Sequence, residues 1–257
     1  GEASTMTDEE QLDVIKCIVD TVNKRIPVIA GASTNDTRHS LSLAKGAQDM
    51  GADALLIITP YYNKANRTGL KAHFKAIADA VDLPIILYNV PSRTGVNIAP
   101  DLVAELANEC ENIVAIKEAS GDIAQVAEVA RLVPDDFAIY SGNDDSITPL
   151  LSLGGSGVIS VLANVCPQQT HDLVAKFLDG DVKGSCKIQL DLKALIDALF
   201  IEVNPVPVKT ALNLLGFEVG HLRLPLGEMN PKNLEVLKQE LINAGLDVKQ
   251  TAELGVK

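Results

Sequence analysis

Pro84-Ile85-Ile86-Leu87-Tyr88 and Ile113-Val114-Ala115-Ile116-Lys117 are two short apolar runs with a helix-start signal, Ala99-Pro100-Asp101, between them. A continuous apolar run of this length suits a strand buried on both faces, and a helix between two such strands makes a parallel crossover. The same unit extends in both directions. Ile26-Pro27-Val28-Ile29-Ala30-Gly31 and Ala54-Leu55-Leu56-Ile57-Ile58-Thr59 precede the pair, and Phe137-Ala138-Ile139-Tyr140 and Gly157-Val158-Ile159-Ser160-Val161 follow it. Successive starts lie about 20 to 30 residues apart, the length of one strand-loop-helix-loop unit. Asn35-Asp36-Thr37, Asn66-Arg67-Thr68 and Asp144-Asp145-Ser146 supply further helix starts. Ahead of the first run, Thr7 is placed as an N-cap with Glu10 three residues on, followed by Leu12, Ile15, Val19 and Val22 at helical spacing. The repeated units predict an α/β fold, a parallel sheet covered by helices.

Beyond the last run the pattern changes. Gln168 to Leu178, Val182 to Phe200, Val206 to Leu215 and Pro231 to Ala244 read as helices with no strand between them. The expected organisation is a sheet-bearing region over residues 1–180 and a C-terminal helical appendage over 181–257, with no Pro- or Ser-rich linker between them. Two architectures fit such units, an open doubly wound sheet and a closed (β/α)8 TIM barrel. No G-x-G-x-x-G follows the first strand and no Walker loop is present, which weakens the nucleotide-binding version. Leu153-Gly154-Gly155-Ser156-Gly157 precedes a strand instead of leading from strand to helix, so a tight turn is expected there, not a phosphate cradle. A barrel requires eight strands. Six runs are present, so if this is a barrel it lacks about two units, and because the chain opens on Gly1-Glu2 without an initiator Met the missing material would lie at the N-terminus.

Composition excludes other classes. The 257 residues are 47% hydrophobic and 22% charged, enough to build a core without disulfide or metal staples. A formal charge of −12 disfavours nucleic acid and anionic membrane surfaces as partners. Cys17, Cys110, Cys166 and Cys186 are scattered without a C-x-x-C pair, as in a reducing compartment. His39, His73, His171 and His221 form neither H-E-x-x-H nor H-x-H, so no metal site is expected. With no signal peptide and no apolar run near 18 residues, the expected location is cytoplasmic.

In a parallel barrel the active site assembles at the C-terminal strand ends, which makes the residues there the candidates. Lys117 ends one run, and an ammonium at a poorly solvated strand end has its pKa lowered, leaving an amine able to attack a carbonyl. The bland alternative is a lysine paired with Glu118 or another carboxylate. Tyr88-Asn89-Val90-Pro91-Ser92-Arg93-Thr94-Gly95 offers a phenol for proton relay and a guanidinium for a carboxylate, a combination suited to a keto acid. Its alternative is an aromatic capping the core and a solvated Arg in a turn. Tyr61 and Tyr62 are adjacent on the chain, so both are not expected to serve one pocket.

These segments, together with Ile116-Lys117-Glu118-Ala119-Ser120-Gly121, Ser141-Gly142-Asn143-Asp144 and Gly157-Val158-Ile159-Ser160-Val161, resemble in order and spacing the dihydrodipicolinate synthase (4-hydroxy-tetrahydrodipicolinate synthase) family. The resemblance runs from Gly1 to about Leu246. It implies a lyase of class I aldolase type on a (β/α)8 barrel, assembled as a homotetramer of tight dimers. Its substrates would be pyruvate and L-aspartate-4-semialdehyde, in the diaminopimelate route to lysine. No metal or organic cofactor is implied. Lys117 matches the family's Schiff-base lysine and Tyr88 its proton-relay tyrosine. Tyr62 matches the tyrosine that reaches into the neighbouring subunit's site. Arg93 matches the arginine that holds the semialdehyde carboxylate, Ile159 matches a residue lining the family's pyruvate pocket, and Gly142 matches the loop beside that residue. The related N-acetylneuraminate lyases typically lack an arginine in the Tyr-Asn-x-Pro segment, so Arg93 favours the synthase.

The sequence departs from the family at two places. Gly1-Glu2 matches the end of the family's Gly-Thr-Thr-Gly-Glu strand, and both threonines, one a member of the proton relay, are absent. The resemblance therefore implies a (β/α)8 TIM barrel lacking its first two strands and first helix in this chain, an N-terminally truncated synthase with little or no activity as this chain alone. In the family's lysine-feedback site, Asn35 and Tyr61 match. His39 stands where a glutamate is usual, and Asp8 and Gln11 stand where histidines are common. Imidazole cannot replace a carboxylate as counter-charge to an ammonium, so weak lysine feedback is expected. Two other readings stay open: another pyruvate-dependent class I aldolase on the same fold, such as N-acetylneuraminate lyase, and a non-catalytic subunit.

Overall fold

The structure is a computed structural model that describes residues 1–249. Residues 250–257, the end of the expected C-terminal helical region, lie outside the described residues. Two compact units divide the chain: Met6–Ile159 in one, and Gly1–Thr5 with Ser160–Lys257 in the other.

In the first unit, helices and strands alternate from α1 (Asp8–Val22) through β1 (Ile29–Gly31), α2 (Thr37–Asp49), β2 (Ala54–Ile58), α3 (Arg67–Ala78) and β3 (Ile85–Asn89). They continue with the short α4 (Pro91–Thr94), α5 (Pro100–Glu109), β4 (Ile113–Glu118), α6 (Ile123–Leu132), β5 (Ala138–Ser141), α7 (Ile147–Leu151) and β6 (Gly157–Val158). The six strands run parallel in sequence order, a half-barrel sheet. Three of the expected helix starts form side-chain caps. Thr7 and Glu10 exchange both capping-box bonds at α1, satisfying two otherwise orphaned amides. Asp36 accepts from His39 N at α2, and Asn66 from Gly69 N at α3. Sequence did not foresee α4, a single turn begun by Pro91 and ended by Gly95 at φ +70.

Alternation along the strands sorts the side chains onto two faces. Leu55, Ile57, Leu87, Ile116 and Ile139 are buried in one core with Phe74, Leu102 and Leu106 from the covering helices. The residues between them, including Ile58, Tyr88, Lys117 and Tyr140, therefore point to the other, inner face. Two strands are shorter than the apolar runs suggest: β1 begins only at Ile29 and β6 ends at Val158. The glycine-rich stretch is a turn, with Gly154 at φ +89 and the amides of Gly154 and Gly155 bonded back to Leu151 and Leu150 carbonyls.

The second unit contains α8 (Pro167–Leu178), α9 (Val182–Asp191), α10 (Lys193–Leu199), α11 (Val206–Leu214) and α12 (Pro231–Asn243). Where one helix was expected from Val182 to Phe200, Leu192 divides α9 from α10. Leu195, Leu199, Ala211, Leu237 and Leu241 are among the buried residues of its core. Glu2 ties the first residues to this unit: its carboxylate meets Lys209 Nζ at 2.7 Å and accepts from Arg223 N.

Candidate active site

Register assembles the site. Tyr88 on β3 pairs with Lys117 on β4, Lys117 with Tyr140 on β5, and Ile58 on β2 with Tyr88. In-register neighbours in a parallel sheet project to the same face, so one inner row carries a phenol, an amine and a second phenol. Lys117 Nζ lies 4.4 Å from the centroid of the Tyr88 ring. Burial lowers the Lys117 pKa to about 8; the Asp144 carboxylate pulls it up, and the Arg93 guanidinium adds to the lowering. Burial raises the Tyr88 pKa, and Arg93 offsets part of that.

Glu118 does not neutralise the amine. As the next residue on β4 it points to the helix-covered face and is 2% exposed. There it accepts from Asn89 Nδ2, Ser120 N and Gln125 Nε2. The pairing of Lys117 with Glu118 is thus corrected by strand alternation.

Gly142 closes over the lysine. A Cβ there would stand 3.1 Å from Lys117 Cε and 2.6 Å from Ala119 Cβ, so only glycine fits this approach. Ile159 follows β6, and its amide donates to Ser141 O at 2.9 Å. Arg93 sits on α4, exposed, with its charge felt by both Lys117 and Tyr88. Tyr62 stands apart: it is 90% exposed and held at φ +71, uncommon for a bulky residue. Two residues that sequence did not single out belong here. Asp144 is buried and acts on the amine through space. Tyr140 flanks Lys117 opposite Tyr88, and the signal that could have found it is its place two residues before Gly142, at the level of the lysine. Among the described residues, no three His, Cys, Asp or Glu side chains group as a metal site would require.

A poorly solvated amine beside a phenol, at the C-terminal ends of parallel strands, defines the class of an α/β enzyme equipped for amine-carbonyl chemistry. The sequence model of the Dihydrodipicolinate synthetase family matches residues 1–244. The chain belongs to that family. It is 60% identical over 246 residues to the 4-hydroxy-tetrahydrodipicolinate synthase of Acetivibrio thermocellus, covering 96% of this chain and 83% of that protein. Dihydrodipicolinate synthase from Thermotoga maritima superposes with a TM-score of 0.94 at 44% identity, covering 95% of this chain and 84% of that one. The chloride-inhibited enzyme from Acinetobacter baumannii, complexed with pyruvate, gives a TM-score of 0.93 at 44% identity over 96% of this chain and 84% of that one. The expected N-terminal truncation is not shown by these matches.

Proposed function

We propose that the protein is a 4-hydroxy-tetrahydrodipicolinate synthase that condenses pyruvate with L-aspartate-4-semialdehyde through a Schiff base on Lys117. The observation that carries this reading is the Lys117 amine, its pKa lowered to about 8, in register with Tyr88. About a tenth of such an amine is uncharged at pH 7, against fewer than one in a thousand for an ordinary lysine. The free amine adds to the pyruvate ketone carbon, and the carbonyl oxygen leaves as water once protonated. The iminium then loses a methyl proton to give an enamine, whose carbon attacks the semialdehyde aldehyde. Attack by the semialdehyde's own amine on the imine carbon closes the ring and releases Lys117. Tyr88 is the proton carrier of this scheme, Gly142 and Ile159 shape the pyruvate side, and Arg93 receives the semialdehyde carboxylate bidentately.

In the same proposal the six-stranded sheet is read as consecutive staves of a (β/α)8 barrel, supported by its sequential parallel order. Catalysis is assigned to the sheet-bearing region, 1–180, and the helices from 181 onward form an appendage. The working form is a cytoplasmic homotetramer built from tight dimers, in which Tyr62 completes the neighbour's proton relay. The exposure and backbone strain of Tyr62 support that role, because an aromatic held outward at positive φ gains little within its own chain. Borohydride reduction in the presence of pyruvate, followed by peptide mapping, tests the reading. The label is expected on Lys117, and a label on any other residue overturns it.

A further inference from the structure

One residue beyond the inner row lies a second row that the reaction scheme does not use. Thr59, Asn89, Glu118 and Ser141 follow Ile58, Tyr88, Lys117 and Tyr140 and are all buried on the helix-covered face. Strand register joins this row: Asn89 pairs with Glu118, and Glu118 with Ser141. Its hub is the Glu118 carboxylate. Asn89 Nδ2 donates to both oxygens at 3.2 and 3.0 Å, Ser120 N to Oε1 at 2.7 Å and Gln125 Nε2 to Oε2 at 3.0 Å. Asn97 extends the network. Its Oδ1 accepts from Asn89 Nδ2 at 2.8 Å and from Gln125 Nε2 at 3.1 Å, and its Nδ2 donates to Gln125 Oε1 at 2.6 Å. Asn89 Oδ1 is fixed in turn by Ile98 N at 3.0 Å.

The hydrogen bonds that hold Glu118 all come from amides, so the side chain serves as an acceptor for fixed donors. Each donor comes from a different place: β3, the turn after β4, and α6. They converge on the residue that follows Lys117, while the Asn89 end of the network follows Tyr88. Building on the Schiff-base reading, we propose that Glu118 is a positioning residue: bonded to Asn89 and Gln125 behind the sheet, it sets the separation of the Tyr88 phenol and the Lys117 amine in front. A network whose Asn89 and Glu118 members are buried and hydrogen-bonded holds its strands to one geometry, whereas a donor facing a donor releases them.

Two variants of the whole chain test this. Glu118→Gln keeps the shape but turns an amide nitrogen toward donors. The exchange variant Asn89→Asp/Glu118→Gln puts the carboxylate on β3, where it still accepts from Ile98 N, and the amide on β4. Rates of borohydride-trappable imine formation at Lys117 are measured against pyruvate concentration, with thermal melting alongside. Glu118→Gln is expected to slow imine formation at saturating pyruvate at least tenfold, with the half-saturating concentration within threefold. The exchange variant is expected to recover to within threefold of the unmodified chain. Parental rates in Glu118→Gln overturn the proposal. So does a loss that only tracks the folded fraction, or a folded exchange variant that fails to recover. Absent or misplaced label in the unmodified chain overturns instead the Schiff-base reading on which the proposal rests.

Discussion

A lysine that must lose its proton to react is a thermodynamic cost to the fold that holds it. With its pKa lowered from 10.5 to about 8, Lys117 binds fewer protons in the folded than in the unfolded chain between those values. Stability therefore rises with pH across that window, and below pH 8 the full penalty of a charged, poorly solvated amine is present. Replacing the side chain by an apolar one of similar length removes this term. Lys117→Met should abolish imine trapping yet stabilise the protein by about 1–3 kcal/mol at pH 7, and that advantage should shrink at pH 9.5. Denaturant melts of both proteins at the two pH values check it. A variant less stable than the parent at pH 7, or an advantage that grows with pH, would contradict the burial argument. The lysine was readable from sequence because it ended an apolar run; Asp144 and Tyr140 were not, because their approach depends on register and loop path.

At the level of elements, the parallel order and the helix starts were legible because they rest on local physics: apolar runs, caps and glycine turns. The break at Leu192 and the single turn of α4 were not, since both continue favourable local patterns until tertiary packing interrupts them. The α1–α2 pair places a carboxylate against His39 that residue types alone do not reveal. His39 was expected to deprive a lysine-binding site of its carboxylate. The structure supplies one from the opposite helix: Asp8 Oδ1 lies 2.7 Å from His39 Nε2. That carboxylate is already engaged by the imidazole, and both groups are solvent-exposed, so an incoming ammonium must compete with an existing partner for a screened charge. Weak inhibition by free L-lysine remains the expected outcome, now because the acid is occupied. Half-inhibition of turnover at low micromolar lysine would contradict this. His39→Ala, which frees Asp8, should tighten whatever lysine inhibition the parent shows.

For the molecule as a whole, the sheet order leaves β1 and β6 each paired on one side only among the described residues. The two ends differ in their chemistry. β6 is two residues long, while Ile29, the first residue of β1, and Ile26 just before the strand are 45% and 64% exposed. Unpaired strand amides next to exposed β-branched side chains are a template for adding another strand, and natural edges are usually blunted by a charge, a proline or a covering element. Pro27 interrupts the approach to β1 but leaves Ile29-Ala30-Gly31 available. The net charge of −12 opposes close association between copies, and salt screens that opposition. Self-association through this edge should therefore increase with ionic strength, the reverse of an assembly held by ion pairs. Ile29→Lys places a charge on the edge without removing a backbone bond. Light scattering after size exclusion, at low and high salt, should show the unmodified chain shifting to larger species in salt and the variant shifting less. Equal shifts in the two proteins would show that association uses another surface, with Tyr62 at 90% exposure the next to substitute.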